Sequence, residues 1–179
     1  MPRTFNPGYL NAKTDKASDE QYTPEYAIIP LLKYLKKDIV IWCPFDTKDS
    51  KYVEVFTKKG YKVIYSHIDN GQNFFDYEPS EHYDIIISNP PFSIKDAVIE
   101  RLYELNKPFA ILLPIPALQG QKRFKYFQQG LQLLSFNKRI HFYTNLESKE
   151  IMKGTPFGCA YFCKDFLPQD LILEKLFDN

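Results

Sequence analysis

Hydrophobic positions along this chain alternate between two spacings. Residues 1–21 are polar and show no apolar period, so they read as a mobile arm ahead of a single domain spanning 22–179. Thr23-Pro24 then opens a predicted helix, because Thr caps well and Pro suits the first helical position. Ala27, Ile28, Leu31, Leu32 and Leu35 follow at helical spacing. The run Ile39-Val40-Ile41-Trp42-Cys43 is apolar at successive positions, the pattern of a strand buried on both faces. Residues 48–59 return to a helical pattern closed by Gly60, 61–65 predict a second strand, and 83–88 a third. A helix over 94–105, a strand over 109–113 and a basic helix over 122–134 come next. Two strands, 139–143 and 157–163, and a short tail helix complete the pattern.

Strands alternating with helices imply βαβ units, right-handed crossovers and a mostly parallel sheet with helices on both faces. The last two strands have no room for a long helix between them, so the last strand is expected to be antiparallel. The expected class is α/β, a single Rossmann-like domain. In such sheets ligands lie beyond the carboxyl ends of the strands, where the strand order switches. The residues following Cys43, Tyr65, Ser88 and Leu113 are therefore the informative ones.

Composition narrows the chemistry. With 179 residues there is room for one domain, and no apolar stretch approaches the roughly 20 residues of a membrane helix. Met1-Pro2-Arg3-Thr4-Phe5 does not open like a signal peptide, and three cysteines without zinc-type spacing fit a reducing cytoplasm. The 7 glycines include no pair one residue apart, so neither a G-x-G-x-x-G fingerprint nor a phosphate-binding G-x-x-x-x-G-K loop is present. His67, His82 and His141 lack ligand spacing, and no metal is expected. The net charge of +1 hides an asymmetry: from Leu105 to Leu146 there is no Asp or Glu, against Lys107, Lys122, Arg123, Lys125, Lys138 and Arg139. A basic stretch of this kind suits a polyanion or a solvated helix face.

The sharpest segment is Asp84-Ile85-Ile86-Ile87-Ser88-Asn89-Pro90-Pro91-Phe92. An apolar strand delivers Asn89 to its carboxyl end, where two prolines stiffen the turn. That places a side-chain amide and main-chain carbonyls beside an aromatic face, a site that accepts hydrogen bonds from an amino group while a planar ring stacks alongside. At these residues the chain resembles the class I S-adenosylmethionine-dependent adenine-N6 methyltransferases, and in its compact size the small phage and prophage members. Their signature is an acidic or polar residue, Pro-Pro, then an aromatic.

The resemblance runs from about Tyr22 to Cys163 and implies a Rossmann-like methyltransferase fold with S-adenosylmethionine as cofactor. It implies catalytic roles for Asn89, Pro90 and Phe92, with Pro91 beside them on the substrate. Tyr22-Thr23-Pro24 is similar to the aromatic-Thr-Pro element that touches the methionine part of the cofactor. Pro44-Phe45-Asp46 stands at the cofactor loop, although Cys43 replaces the usual acid and Thr47-Lys48-Asp49 the usual glycines. Asp69 stands where an acid binds the ribose hydroxyls, and Asn73-Phe74-Phe75 where the adenine is held, with Phe74 or Phe75 to stack on its ring and the other of the pair in the core. Phe157 is the matching candidate to close over a flipped base. Lys122, Arg123 and Lys125, interleaved with Phe124, Tyr126 and Phe127, suit a nucleic-acid groove or, with the aromatics inside, a solvated helix.

The expected activity is methyl transfer to the exocyclic amino group of adenine in nucleic acid, DNA in the first place. Adenine in RNA, a protein glutamine amide, and a nucleic-acid-binding module with a methyltransferase fold and little turnover are the alternatives. Target recognition would come from loops, the arm, or a second subunit, whether another copy of the chain or a separate specificity partner. No membrane is expected to take part.

Overall fold

The structure, a computed structural model, describes residues 22–145, 147, 150–151 and 157–177. The expected arm, 1–21, lies outside them. A seven-stranded sheet organises the rest, with strands β1 (Val40–Cys43), β2 (Lys62–Tyr65), β3 (Ile85–Ser88), β4 (Phe109–Pro114), β5 (Gln132–Phe136), β6 (Cys159–Lys164) and β7 (Leu171–Glu174). Their spatial order is β2-β1-β3-β4-β6-β5-β7. β2, β1, β3 and β4 pair in parallel, β6 runs antiparallel between β4 and β5, and β7 pairs in parallel with β5. The α/β class is as expected, and β6 is the strand that runs antiparallel.

Successive residues of each strand serve opposite faces. Ile41, Cys43, Ile85, Ile87, Ala110, Leu112, Tyr161 and Cys163 join one core with the helices α1 (Glu25–Ile28) and α2 (Lys51–Lys58). Trp42, Ile86, Ile111, Leu113, Ala160 and Phe162 join a second core with α3 (Lys95–Leu105), against which Tyr126 and Phe127 of α4 (Gln121–Phe127) pack. Both faces are covered, which is why these strands read as unbroken apolar runs. The helix ends follow local chemistry. The Ser50 hydroxyl accepts from the Val53 amide at 3.3 Å at the start of α2. Asn106 closes α3 in the left-handed conformation, at φ 49°.

Four elements differ from the sequence pattern. The first helix is α-helical only over Glu25–Ile28 and tightens to a 3-10 turn over Ile29–Lys33, because Pro30 has no amide hydrogen to donate back to the preceding turn. The basic helix stops at Phe127; Gly130, at φ 111°, turns the chain so that Gln132–Phe136 become β5. The strand expected at 139–143 is irregular, with Ile140 and Phe142 buried and Tyr143 in isolated bridges to Tyr22 and Ile151. The described residues of the tail form β7 and no helix.

Candidate functional site

From β1 the chain steps outward to β2 and then crosses back to β3, so the strand order switches between β1 and β3. The crevice beyond these carboxyl ends is where such sheets bind ligands. Past Cys43 the β1–β2 pairing continues: Ser66 N donates to Cys43 O at 3.1 Å and Asp46 N to Ser66 O at 3.2 Å. Trp42 Nε1 donates to Ser66 Oγ at 3.0 Å. These bonds fix Asp46 over the end of the sheet with 7% of its surface exposed. Its carboxylate accepts from Ser88 Oγ, the last residue of β3, so one acid joins the ends of three strands.

Burial pushes the Asp46 carboxyl up to about 6, against opposing pulls from the Ser88 and Ser50 hydroxyls and from His67. A raised value means that the carboxylate is under-compensated, a ready partner for a cationic group. Pro44 is buried beneath it and Phe45 half-buried beside it. Cys43 offers no nucleophile, since burial drives its thiol well above its ordinary value.

Thr23 and Pro24 are both buried, at the start of α1. Tyr22 exchanges two backbone hydrogen bonds with Tyr143, at 3.1 and 3.0 Å, which pins this element to the loop after β5. Beneath it, the Tyr52 and Tyr161 hydroxyls lie 2.8 Å apart and Tyr161 donates to Ala27 O at 3.1 Å. Thr23 Oγ1 is buried and makes no hydrogen bond of good geometry among the described residues. The Tyr52 phenol is near enough to feel it without satisfying it, and Tyr52 also feels the charge of Asp46. A buried acid and an unsatisfied hydroxyl thus share one neighbour.

At the end of β2 the chain makes a 3-10 turn, Ile68–Asn70, released by Gly71 at φ 74°. Asp69 projects from this turn, its side chain 63% exposed, while its amide donates to His67 Nδ1 at 3.2 Å. Asn73 Oδ1 accepts from Phe75 N at 3.2 Å and so shapes its own turn. Phe74 corrects the expectation of a stacking ring. It is 2% exposed, with its centroid 5.6 Å from Trp42 and 4.9 Å from Phe45, so the half-buried Phe45 is the ring left on the rim.

β3 carries Asn89 half-buried at its end, with the side-chain oxygen inside, then buried Pro90. Pro91 is extended, at φ -56° and ψ 128°, and leads into the 3-10 turn Phe92–Ile94. The Phe92 ring meets Phe142 at 6.3 Å and Phe157 at 6.2 Å, both edge-on. Phe92 and Phe157, 65 residues apart in sequence, are brought together, and the fully buried Phe142 packs against Phe92 from the core. Ser88, Tyr52, Tyr161 and Phe142 were not singled out in the sequence. Only Ser88 carried a signal, a polar residue ending a buried apolar strand.

The basic helix divides. Lys122 and Lys125 are exposed, with Lys125 Nζ 4.6 Å from the Tyr126 ring centroid. Arg123 turns inward and is corrected as a phosphate contact: Nε donates to Ala117 O at 2.7 Å, Nη2 to Gln119 O, and Nη1 to Asp96. Among the described residues there is no cluster of metal-ligating side chains, and no helix is long and apolar enough to cross a membrane.

No family model and no curated protein matches this sequence. Solved structures do match in their fold, among them the following two. A Listeria monocytogenes protein named as a class I S-adenosylmethionine-dependent methyltransferase superposes with a TM-score of 0.50 at 12% identity, over 94% of this chain and 69% of the other. The methyltransferase subunit of a type I restriction-modification system from Streptococcus thermophilus superposes with a TM-score of 0.54 at 14% identity, over 87% of this chain and 47% of that one. This chain therefore spans about half of the restriction-modification subunit. With the switch between β1 and β3 and the antiparallel β6, this likeness establishes the fold: the chain has the Rossmann-like architecture of the class I methyltransferases.

Proposed function

We propose that the protein transfers a methyl group from S-adenosylmethionine to the exocyclic amino group of adenine in nucleic acid, DNA in the first place. One observation carries the reading. Asn89 emerges from β3 next to Ser88, which holds Asp46, and it shares its loop with Phe92, whose ring meets that of Phe157. An under-compensated anion and an amide beside aromatic faces thus adjoin at one switch point.

The residues present fit the cofactor. The Asp46 carboxylate suits an ammonium group, Thr23 Oγ1 is a buried hydroxyl in want of a partner, and the exposed Asp69 suits ribose hydroxyls. When bound, S-adenosylmethionine supplies an electrophilic methyl on a sulfonium. The chain's own work is to make the amine nucleophilic and to aim it. The adenine amine is a poor nucleophile because its lone pair is delocalised into the ring. The Asn89 side-chain oxygen and the Pro90 carbonyl accept its two hydrogens and favour a more tetrahedral nitrogen as positive charge develops. The extra proton then leaves to solvent. Phe92 holds the base by stacking, which requires that the base be out of a duplex. The remaining contribution is alignment.

A glutamine amide would fit the same Asn89–Phe92 site. The exposed Lys122 and Lys125, in a stretch without acids, favour nucleic acid. The test is parallel incubation of methyl-labelled S-adenosylmethionine with DNA, RNA and protein. Label entering nucleic acid is expected. Label entering protein alone would replace the substrate, and no label with measurable cofactor affinity would leave a binding module.

A further inference from the structure

β4 ends in Pro114 and passes into the 3-10 turn Ile115–Leu118, followed by α4. This stretch reverses the usual partition. Ile115 is 44% exposed, Leu118 43% and Phe124 63%, while Arg123 between them is 9% exposed. The other two aromatics of α4 point inward, Tyr126 against Tyr103 and Phe127 against Phe162. The outward position of Phe124 is therefore not a consequence of helix composition.

The apolar turn is held rigidly in its exposed state. Pro114 and Pro116 fix its backbone, Ala117 is buried as its foot, and the Arg123 guanidinium clasps Ala117 O and Gln119 O while paired with Asp96. Gly120 belongs to the clasp, since a Cβ there would collide with that guanidinium. The ridge also continues into the site. Ile115 N donates to Gly158 O at 2.9 Å, and Gly158 follows Phe157, the ring that meets Phe92. A Cβ on Gly158 would lie 3.2 Å from Ile115 Cδ1 and 3.9 Å from the Arg139 stem, so ridge, base-side aromatics and a cation are contiguous.

The geometry points to a binding surface for unpaired nucleobases flanking the target. Ile115, Leu118 and Phe124 take base faces, and Lys122 and Lys125 take the adjoining phosphates. This rests on the methyl-transfer reading above and extends it by naming where the strand beyond the target runs. Charge selects the occupant. No acid occurs between Leu105 and Leu146, and of the α3 acids beside α4, Asp96 is paired with Arg123 and Glu100 accepts from the Tyr126 hydroxyl at 2.7 Å. Exposed apolar side chains followed closely in the chain by exposed lysines match a strand whose bases are unstacked and whose backbone is anionic. Arg123 acts here as a positioning residue.

Anisotropy of fluorescein-labelled single strands of DNA and RNA, and of the DNA strand annealed to its complement, tests the surface. Leu118→Ala/Phe124→Ala should lose about 10- to 100-fold in affinity for the single strands with its salt dependence unchanged. Lys122→Gln/Lys125→Gln should instead flatten the salt slope by about 0.7 per contact on a single strand. Gly120→Ala, which disturbs the clasp and no exposed side chain, should reproduce part of the apolar loss. Wild-type affinity in the apolar double variant overturns the assignment, and so does sedimentation showing that this variant splits a dimer of the wild type. Calorimetry with S-adenosylhomocysteine on the same proteins separates the two readings. Strand binding that depends on the ridge, in a protein that gives no heat with S-adenosylhomocysteine, sinks methyl transfer and keeps the surface. Cofactor heat together with ridge-independent strand binding does the reverse.

Discussion

The two halves of the sheet's carboxyl edge break the rules of burial in opposite directions. Over β1, β2 and β3, polar groups are inside: Thr23, Asp46, Ser66 and Ser88 are at most 7% exposed. Beyond β4, large apolar groups are outside, and a buried arginine holds them there. A buried polar group and an exposed apolar cluster are the two departures that carry information, because each costs free energy in the isolated protein. Their chemistry separates the ligands. On the proposed reading, the first half takes a small molecule with a cation and hydroxyl partners, and the second an anionic strand with stackable rings. Asn89, at the end of β3, lies where the two halves meet.

The largest expected effect is at that meeting point. Asn89→Ala should lower the single-turnover rate by about 10²–10³, the size seen when one preorganised hydrogen bond to a developing charge is removed. Its thermal melt should match the wild type, since Ile85, Ile86 and Ile87 already fill the strand's place in the core. Phe92→Ala should leave the saturated rate closer to wild type and weaken capture of the base, by roughly 1–3 kcal/mol. Rapid-quench kinetics with excess enzyme distinguish the two. A wild-type rate in Asn89→Ala would break the comparison by removing its centre.

Asp46 comes next. Its folded value of about 6 stands above its ordinary 3.8, so the folded state binds the proton more tightly than the unfolded state. Stability from this group is complete below about pH 4 and is lost as pH rises through about 6. Asp46→Asn should therefore stabilise the free protein by on the order of 2–3 kcal/mol at neutral pH and by nothing below pH 4. The same substitution should weaken S-adenosylhomocysteine binding. Wild-type binding should strengthen as pH rises through about 6, because only the anion pairs with an ammonium group. Melting curves and calorimetry across this pH range provide both measurements. A melting gap independent of pH would mean that the carboxylate is compensated.

Asp69→Ala should give the smallest effect, about a tenfold loss in S-adenosylhomocysteine affinity with no change in melting, as expected for one exposed hydrogen-bonding acid. Calorimetry sharpens the contrast within the first half between a buried acid that alters stability and an exposed one that does not.

Much of this was legible in the sequence because it is local. Val40–Cys43, Ile85–Ser88 and Phe109–Pro114 are apolar at every pleat position or nearly so, the mark of strands covered on both faces. Asn89-Pro90-Pro91-Phe92 is a contiguous motif whose stiffness is written in its prolines. What escaped is non-local or ambiguous in period. Leu131, Leu133 and Leu134 fit a helix continuing from Phe127 as well as a strand, and Gly130 decides between them through a backbone angle. Arg123 looks like its lysine neighbours until Asp96, 27 residues earlier, draws it inward. Phe74 is indistinguishable from a stacking ring until Trp42 and Phe45 enclose it.

The central claim is methylation of an amino nitrogen held by Asn89 and the Pro90 carbonyl. The most direct test is to methylate an adenine-containing DNA strand with labelled S-adenosylmethionine, digest it to nucleosides and identify the modified atom. The geometry predicts label on the exocyclic N6 of adenine, lost in parallel with activity in Asn89→Ala. Label on a ring nitrogen or a ring carbon, neither of which presents two hydrogens to those acceptors, would contradict it.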